Sequence, residues 1–186
     1  MKIINIKFKD LTQENWSGGK TKQIYIYPET ALYKNKDFLF RLSSASIEEQ
    51  PSTFTLFLGY TRYLCMLDNS LSLKINNKSI NLEKNEIIKF HSEDDVISSS
   101  IGNDFNLMIK DDIIEHEIQI ENGFISKDQH FIIIFALEKV NITINNEEFL
   151  LDKYDTIIIE NLDKEEIDLI TKDHVIIATL NLAYTN

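Results

Sequence analysis

Leu71-Ser-Leu-Lys-Ile-Asn-Asn-Lys-Ser-Ile-Asn-Leu-Glu-Lys-Asn-Glu-Ile-Ile88 lies without a gap over Val140-Asn-Ile-Thr-Ile-Asn-Asn-Glu-Glu-Phe-Leu-Leu-Asp-Lys-Tyr-Asp-Thr-Ile157, an offset of 69 residues. Leu71/Val140, Leu73/Ile142, Ile75/Ile144, Ile80/Phe149, Leu82/Leu151 and Ile88/Ile157 keep one hydrophobic register. The spacing within each copy is two, the period of a strand with one face buried. An Asn-Asn pair interrupts both copies at the same place, where a tight hairpin turn needs residues that tolerate positive φ. A second polar turn, Glu83 to Glu86 and Asp152 to Asp155, recurs before the return strand. Matching turns and matching register together favour duplication over chance resemblance between hairpins.

The rest of the chain reads the same way. Alternation runs through Lys2 to Phe8, Gln23 to Tyr27, Phe38 to Ile47, Ile114 to Ile120 and Thr179 to Ala183. Phe131 to Phe135 and Thr156 to Ile159 are continuous β-rich runs, as expected of strands covered on both faces. Only Asp10 to Trp16 offers even a weak helical pattern. The expectation is an all-β protein, a double-stranded β-helix repeated in tandem as a β-sandwich or barrel. Residues 1–110 would form the N-terminal half and 111–186 the C-terminal half. No Gly/Ser/Pro-rich linker divides them, so one continuous unit is expected.

The 186 residues are 43% hydrophobic, ample for a core. The formal net charge is −11, from 30 acidic and 19 basic residues. That balance repels phosphate backbones and anionic bilayers, and no Lys/Arg stripe reverses it, so neither nucleic acid nor membrane is an expected partner. No apolar run nears the ~20 residues that span a bilayer. The amino terminus alternates in polarity, unlike a signal peptide, and a single cysteine, Cys65, has no partner for a disulfide. A cytoplasmic setting is expected, and Cys65, within Tyr63-Leu-Cys-Met-Leu, reads as a small buried hydrophobe.

Unusual residues gather before the second copy. Gly18, Gly19, Gly59 and Gly102, Trp16, and both arginines, Arg41 and Arg62, all lie there. Strand alternation puts Arg41, Ser43 and Ala45 on one face, and Asp104, Asn106 and Met108 on another. Thr21, Gln23 and Tyr25 share a face after the Gly18-Gly19 turn. An arginine flanked by small residues suits an anionic small molecule. The same arginines would equally suit an internal bridge, Arg41–Asp104 or Arg62–Asp104. Among His91, His116, His130 and His174 there is no His-x-His pattern. His91 and its counterpart Glu160 sit where a ligand could lie, but neither half supplies three, so no metal and no cofactor are expected. His116 reads as an exposed residue. Ser17-Gly-Gly-Lys-Thr21 lacks the spacing of a phosphate loop.

Four blocks in order also resemble one family. Trp16-Ser-Gly-Gly-Lys-Thr-Lys-Gln-Ile24 is similar to the Trp…Asn-Gly-Gly-x-Thr-x-Glu-Ile opening of the HutD/Ves family. Asp37-Phe-Leu-Phe-Arg-Leu-Ser-Ser-Ala-Ser-Ile47 resembles its Asp-Phe-x-Trp-Arg-x-Ser-x-Ala signature. Phe54-Thr-Leu-Phe-Leu-Gly-Tyr-Thr-Arg62 resembles Phe-Ser-x-Phe-Pro-Gly-x-x-Arg, and Asp104-Phe-Asn-Leu-Met108 its Asp-Phe-Asn-x-Met block. Ser17, Gln23, Phe40 and Leu58 depart from the pattern, and Lys110-Asp111 stands where an Arg pair is common.

The resemblance implies a bicupin fold and, for the HutD branch, a regulatory link to histidine utilisation through an intermediate such as formylglutamate. It brings no secure enzymatic activity. It favours Thr21, Arg41, Ser43, Arg62, Asp104 and Asn106 as pocket residues. With Gln23 added from the strand pattern, the expected function is binding of a small carboxylate metabolite. A cupin enzyme (isomerase, lyase or hydrolase) and a structural module acting as an oligomer, a homodimer among the options, are the rival readings.

Overall fold

A computed structural model describes residues 1–182; Ala183, at the end of the last alternating run, lies outside them. In chain order the strands are β1 (Lys2–Ile6), β2 (Glu14–Trp16), β3 (Gly19–Tyr27), β4 (Phe40–Ile47), β5 (Ser52–Thr53), β6 (Tyr60–Met66), β7 (Leu71–Ile75), β8 (Lys78–Leu82) and β9 (Ile87–His91). They continue with β10 (Val96–Ser98), β11 (Gly102–Lys110), β12 (Glu115–Lys127), β13 (Phe131–Ala136), β14 (Val140–Ile144), β15 (Glu147–Leu151), β16 (Thr156–Glu160) and β17 (Ile167–Asn181). The only helical turns described are 3₁₀ turns, Phe8–Asp10 and Tyr33–Asn35. The weak helical pattern from Asp10 to Trp16 is therefore not a helix; its end forms β2.

The two copies fold alike. Leu71 faces Leu82 and Leu73 faces Ile80 in the first hairpin, as Val140 faces Leu151 and Ile142 faces Phe149 in the second. Asn76 and Asn77 adopt φ of 46° and 67°, and Asn145 and Asn146 φ of 46° and 71°. The first asparagine of each pair also pins the next strand. Asn76 Oδ1 accepts the Asp95 amide at 3.0 Å and Asn145 Oδ1 the Asp168 amide at 2.9 Å. In the second polar turn, Glu86 and Asp155 accept the Glu83 and Asp152 amides at 2.8 and 3.0 Å.

The chain divides into two units, Leu11–Asp112 and Met1–Asp10 with Ile113–Asn186. The first ten residues thus belong with the C-terminal half, not with the N-terminal half the sequence suggested. The cause is pairing between β1 and β16, Ile4 opposite Ile158, across a separation no local pattern could signal.

In the unit of 1–10 and 113–186 one sheet runs β1-β16-β13-β17-β14-β15, with β12 also on β17. Its interior is nearly all aliphatic: Ile132, Ile134, Ile142, Ile144, Ile157, Ile159, Val175 and Ile177 are buried. Each such side chain taken out of water contributes about 1.5–3 kcal/mol before entropy is counted. Strand β17 is unbroken and pairs with both β13 and β14.

In the unit of 11–112 the corresponding work is split. β10 pairs with β7, and β11 with β6, with 99–101 breaking the run between them. Two sheets result, β5-β10-β7-β8 and β2-β3-β4-β11-β6-β9. Ile47, Leu64, Met66, Leu71, Leu73 and Val96 form one apolar cluster here, and Phe38, Phe57, Tyr60 and Met108 another.

Candidate functional site

The six-stranded sheet presents a polar patch between those two clusters. Met108 on β11 stands opposite Arg41 on β4 and opposite Arg62 on β6, so the two arginines flank one position. Two residues along, Asn106 stands opposite Ser43. Sequence spacing groups Arg41, Ser43 and Ala45 on one strand and Asp104 and Asn106 on another; the β4–β11 register then brings the two groups onto the same face. Together with Glu14, Asn15, Trp16, Thr21, Tyr33, Phe54, Thr55 and Arg62 they line a cavity of about 160 Å³. That is roughly ten times the ~10–15 Å³ a single water needs.

Both guanidinium groups are buried, Arg41 5% and Arg62 3% exposed. Neither forms an ion pair with a carboxylate among the described residues. Neutral partners hold them instead. Arg41 donates from Nε to Gln23 Oε1 and from Nη1 to Ser43 Oγ, both at 2.9 Å, and its head lies 4.3 Å from the Tyr33 ring centre. Arg62 donates from Nε to Ser92 Oγ at 3.3 Å and from Nη2 to the Thr55 carbonyl at 3.1 Å, beside the Phe54 and Phe90 rings. Each keeps one terminal nitrogen, Arg41 Nη2 and Arg62 Nη1, without a hydrogen-bond partner among the described residues. Burial lowers both: Arg62 is pushed down to about 10, and Arg41 falls despite the fields of Tyr33, Glu14 and Asp104.

Asp104 is 1% exposed and accepts the Ala45 amide on Oδ1 at 2.8 Å. Burial outweighs that bond and the fields of Arg62 and Arg41, raising the carboxyl to about 7. The bridges considered from sequence, Arg41–Asp104 and Arg62–Asp104, are not formed.

Six of the seven site residues expected from sequence line the cavity. Gln23 does not. The β3–β4 register slips between Gln23 and Tyr25, a bulge that leaves Gln23 exposed with its amide on Arg41 and turns Tyr25 into the core. Thr21 lies on the lining and donates to the Ser44 carbonyl at 3.4 Å. Trp16, Tyr33, Phe54 and Thr55 were not expected in the site. Tyr33 sits on a 3₁₀ turn and Thr55 in a loop, where no periodicity assigns a face; Trp16 ends a three-residue strand, too short to show one.

Among the described residues no group of three or more His, Cys, Asp or Glu side chains comes together. His91 is exposed, and Glu160 is paired with Lys2 at 3.3 Å. The donor set a cupin metal would need is not assembled by these residues. His116, expected on the surface, is half-buried with Nδ1 2.6 Å from the Ile113 carbonyl oxygen. Cys65 is buried and its thiol is pushed up to about 12 by desolvation, the inert small hydrophobe its context suggests.

The other half holds no such patch at the equivalent positions. Arg62 faces Phe90 and Ile132 faces Ile159, and Phe90 and Ile159 are one repeat apart. Following the pairing outward, Asp104 and Asn106 correspond to Val175 and Ile177. Where one half has Arg, Asp and Asn, the other has three buried aliphatic residues in a solid core.

This all-β architecture is cupin-like. Solved structures with the same fold include YlbA from Escherichia coli (TM-score 0.74, 8% identity, covering 99% of this chain and 93% of that one) and the Escherichia coli pirin YhhW in complex with nickel(II) (TM-score 0.66, 9% identity, 98% and 100%). The chain belongs to the HutD family, whose model matches residues 8–177. HutD from Pseudomonas fluorescens SBW25, in a formate condition, superposes with a TM-score of 0.84 at 20% identity over 98% of this chain and 100% of that one. A conserved protein of unknown function from Pseudomonas aeruginosa PAO1 does so with the same TM-score and identity over 97% and 100%. No curated protein matches the chain in sequence.

Proposed function

We propose that this chain is a bicupin that binds a small carboxylate-bearing metabolite in the cavity of its 11–112 unit, without a metal, and that it senses rather than converts that ligand. One observation carries the reading. Arg41 and Arg62 are both buried, both lack a carboxylate partner, and both keep a terminal nitrogen for the same cavity. Burying a guanidinium unpaired costs several kcal/mol in general, so the site favours an anion that restores the pairing. Ser43, Thr21 and Asn106 add neutral contacts, and Gln23 acts by holding Arg41. The repeated hairpins support the tandem cupin arrangement.

Membership of the HutD family supports a regulatory part in histidine utilisation, with a formylglutamate-like acid as ligand in a cytoplasmic setting. The acidic surface speaks against nucleic acid as a partner; a homodimer is compatible with the reading. A thermal-shift screen of formylglutamate and other small acids of histidine breakdown tests it. At least one acid should raise the melting temperature of the wild type and have no effect on Arg41→Ala. No hit, or stabilisation that survives the substitution, would overturn the site.

A further inference from the structure

The cavity that holds the two arginines also holds a buried acid, and only one of its oxygens is used. Asp104 lines the cavity and is 1% exposed. Its Oδ1 accepts the Ala45 amide at 2.8 Å, whereas Oδ2 makes no hydrogen bond with any described residue. The unpartnered polar atoms that are sealed from solvent include Asn106 Oδ1 but not Asp104 Oδ2, so Oδ2 keeps a small opening to the cavity.

The charges that act on this carboxyl come from each element packed on it. Arg41 on β4 turns its head to Ser43, one same-face step from Ala45, and Arg62 projects from β6. Both favour the ionised form; Asp68, past the end of β6, opposes it. Cys65 on β6 holds its own proton up to about 12. Glu14 and Tyr33 are the other titratable side chains on the cavity wall. Burial outweighs both arginines and raises the Asp104 carboxyl to about 7.

We infer that Asp104 is the proton acceptor of the binding site: a carboxylate enters the cavity as an anion, and Asp104 takes up a proton from solvent as it binds. The inference rests on the carboxylate reading above and adds the proton that accompanies the ligand. A ligand carboxylate on the free arginine nitrogens cancels the fields that keep Asp104 ionised. It also puts a like charge into the same poorly solvated space, and both effects raise the proton affinity of Asp104. With the proton on Oδ2, the side chain becomes a neutral donor toward a ligand oxygen instead of a repelling charge. At low pH Asp104 already carries the proton and binding takes up none. Above neutrality the proton has to be drawn from solvent, so affinity falls as the pH rises.

Isothermal titration calorimetry tests this with formylglutamate, and with acetate as a plain carboxylate, at pH 6.0 and pH 8.0. Each titration is run in two zwitterionic or cationic buffers of different ionisation enthalpy, which keeps competing buffer anions out of the cavity. Both acids are ionised over this range, so neither supplies the proton. Wild type should take up more than about half a proton per ligand at pH 8.0 and close to none at pH 6.0, with affinity falling about fivefold or more between them. Asp104→Asn keeps the acceptor for Ala45 and should bind with equal affinity at both pH values and no proton uptake. Independently of the variant, the Asp104 carboxyl carbon, followed by NMR in wild type, should titrate near neutrality without acid and at higher pH with it. Binding without uptake in wild type, uptake that survives in Asp104→Asn, or a carboxyl titration that the acid does not move overturns the inference and leaves the carboxylate reading standing. No binding of either acid at either pH overturns both.

Discussion

Asp104 Oδ1 accepts the Ala45 amide at 2.8 Å, the single hydrogen bond that any described residue makes to a carboxyl group with almost no exposure. Buried this way it prefers its proton, with a folded value of about 7 against 3.8 for the free side chain. Between those values the folded chain binds a proton the unfolded chain has released. Stability contributed by Asp104 is therefore present at low pH and lost as the pH rises through the window. Asp104→Asn keeps the acceptor for Ala45 and cannot ionise. Its stability relative to wild type should improve between pH 4.5 and pH 8, by a few kcal/mol at most. Denaturant melts at the two pH values check this, and a difference that does not change with pH would refute it.

Arg62 occupies the position that Ile132 fills in the other half, so an apolar side chain of matching length is structurally acceptable there. Arg62→Met should cost no more than about 1 kcal/mol, since it removes an unpaired buried charge along with the bonds to Ser92 and Thr55. Arg62→Ala should cost about 2–4 kcal/mol through the space it opens. Both should lose stabilisation by carboxylates. If methionine is as damaging as alanine in urea titrations, the equivalence with Ile132 does not hold.

The paired turns make a matched prediction. Asn76→Ala and Asn145→Ala each lose an αL-tolerant residue and the side-chain bond to the following strand. Each should lower stability by about 1–2 kcal/mol. Glycine at either position should recover roughly half the loss, because it restores the backbone freedom and not the bond. Glycine variants no better than alanine would mean that the φ at these turns is not what limits them.

Much of this was legible in the chain because strand period and turn chemistry are local. The repeat from Leu71 and Val140 specified both hairpins, and alternation put Arg41 with Ser43, and Asp104 with Asn106, on single faces. What was hidden was non-local or irregular. The pairing of Lys2 with Glu160 spans 158 residues. The bulge after Gln23 reverses the face of Tyr25, and alternation alone cannot place an extra residue. Tyr33, Thr55 and Ser92 reach the arginines from turns and loops, where no period applies. The choice between bridge and open site was beyond sequence as well, since it depends on which acceptors lie nearest each guanidinium.

The unbroken β17 and the broken β10–β11 pair have different consequences for motion. A fifteen-residue strand that serves three neighbours, β12, β13 and β14, cannot open at one end without disturbing a ladder it shares with them. Interrupted at 99–101, the other half has separable pieces, so β10 can part from β7 while β11 stays paired with β4 and β6. The half that carries the cavity is thus expected to exchange its backbone amides in sections, β10 ahead of β11.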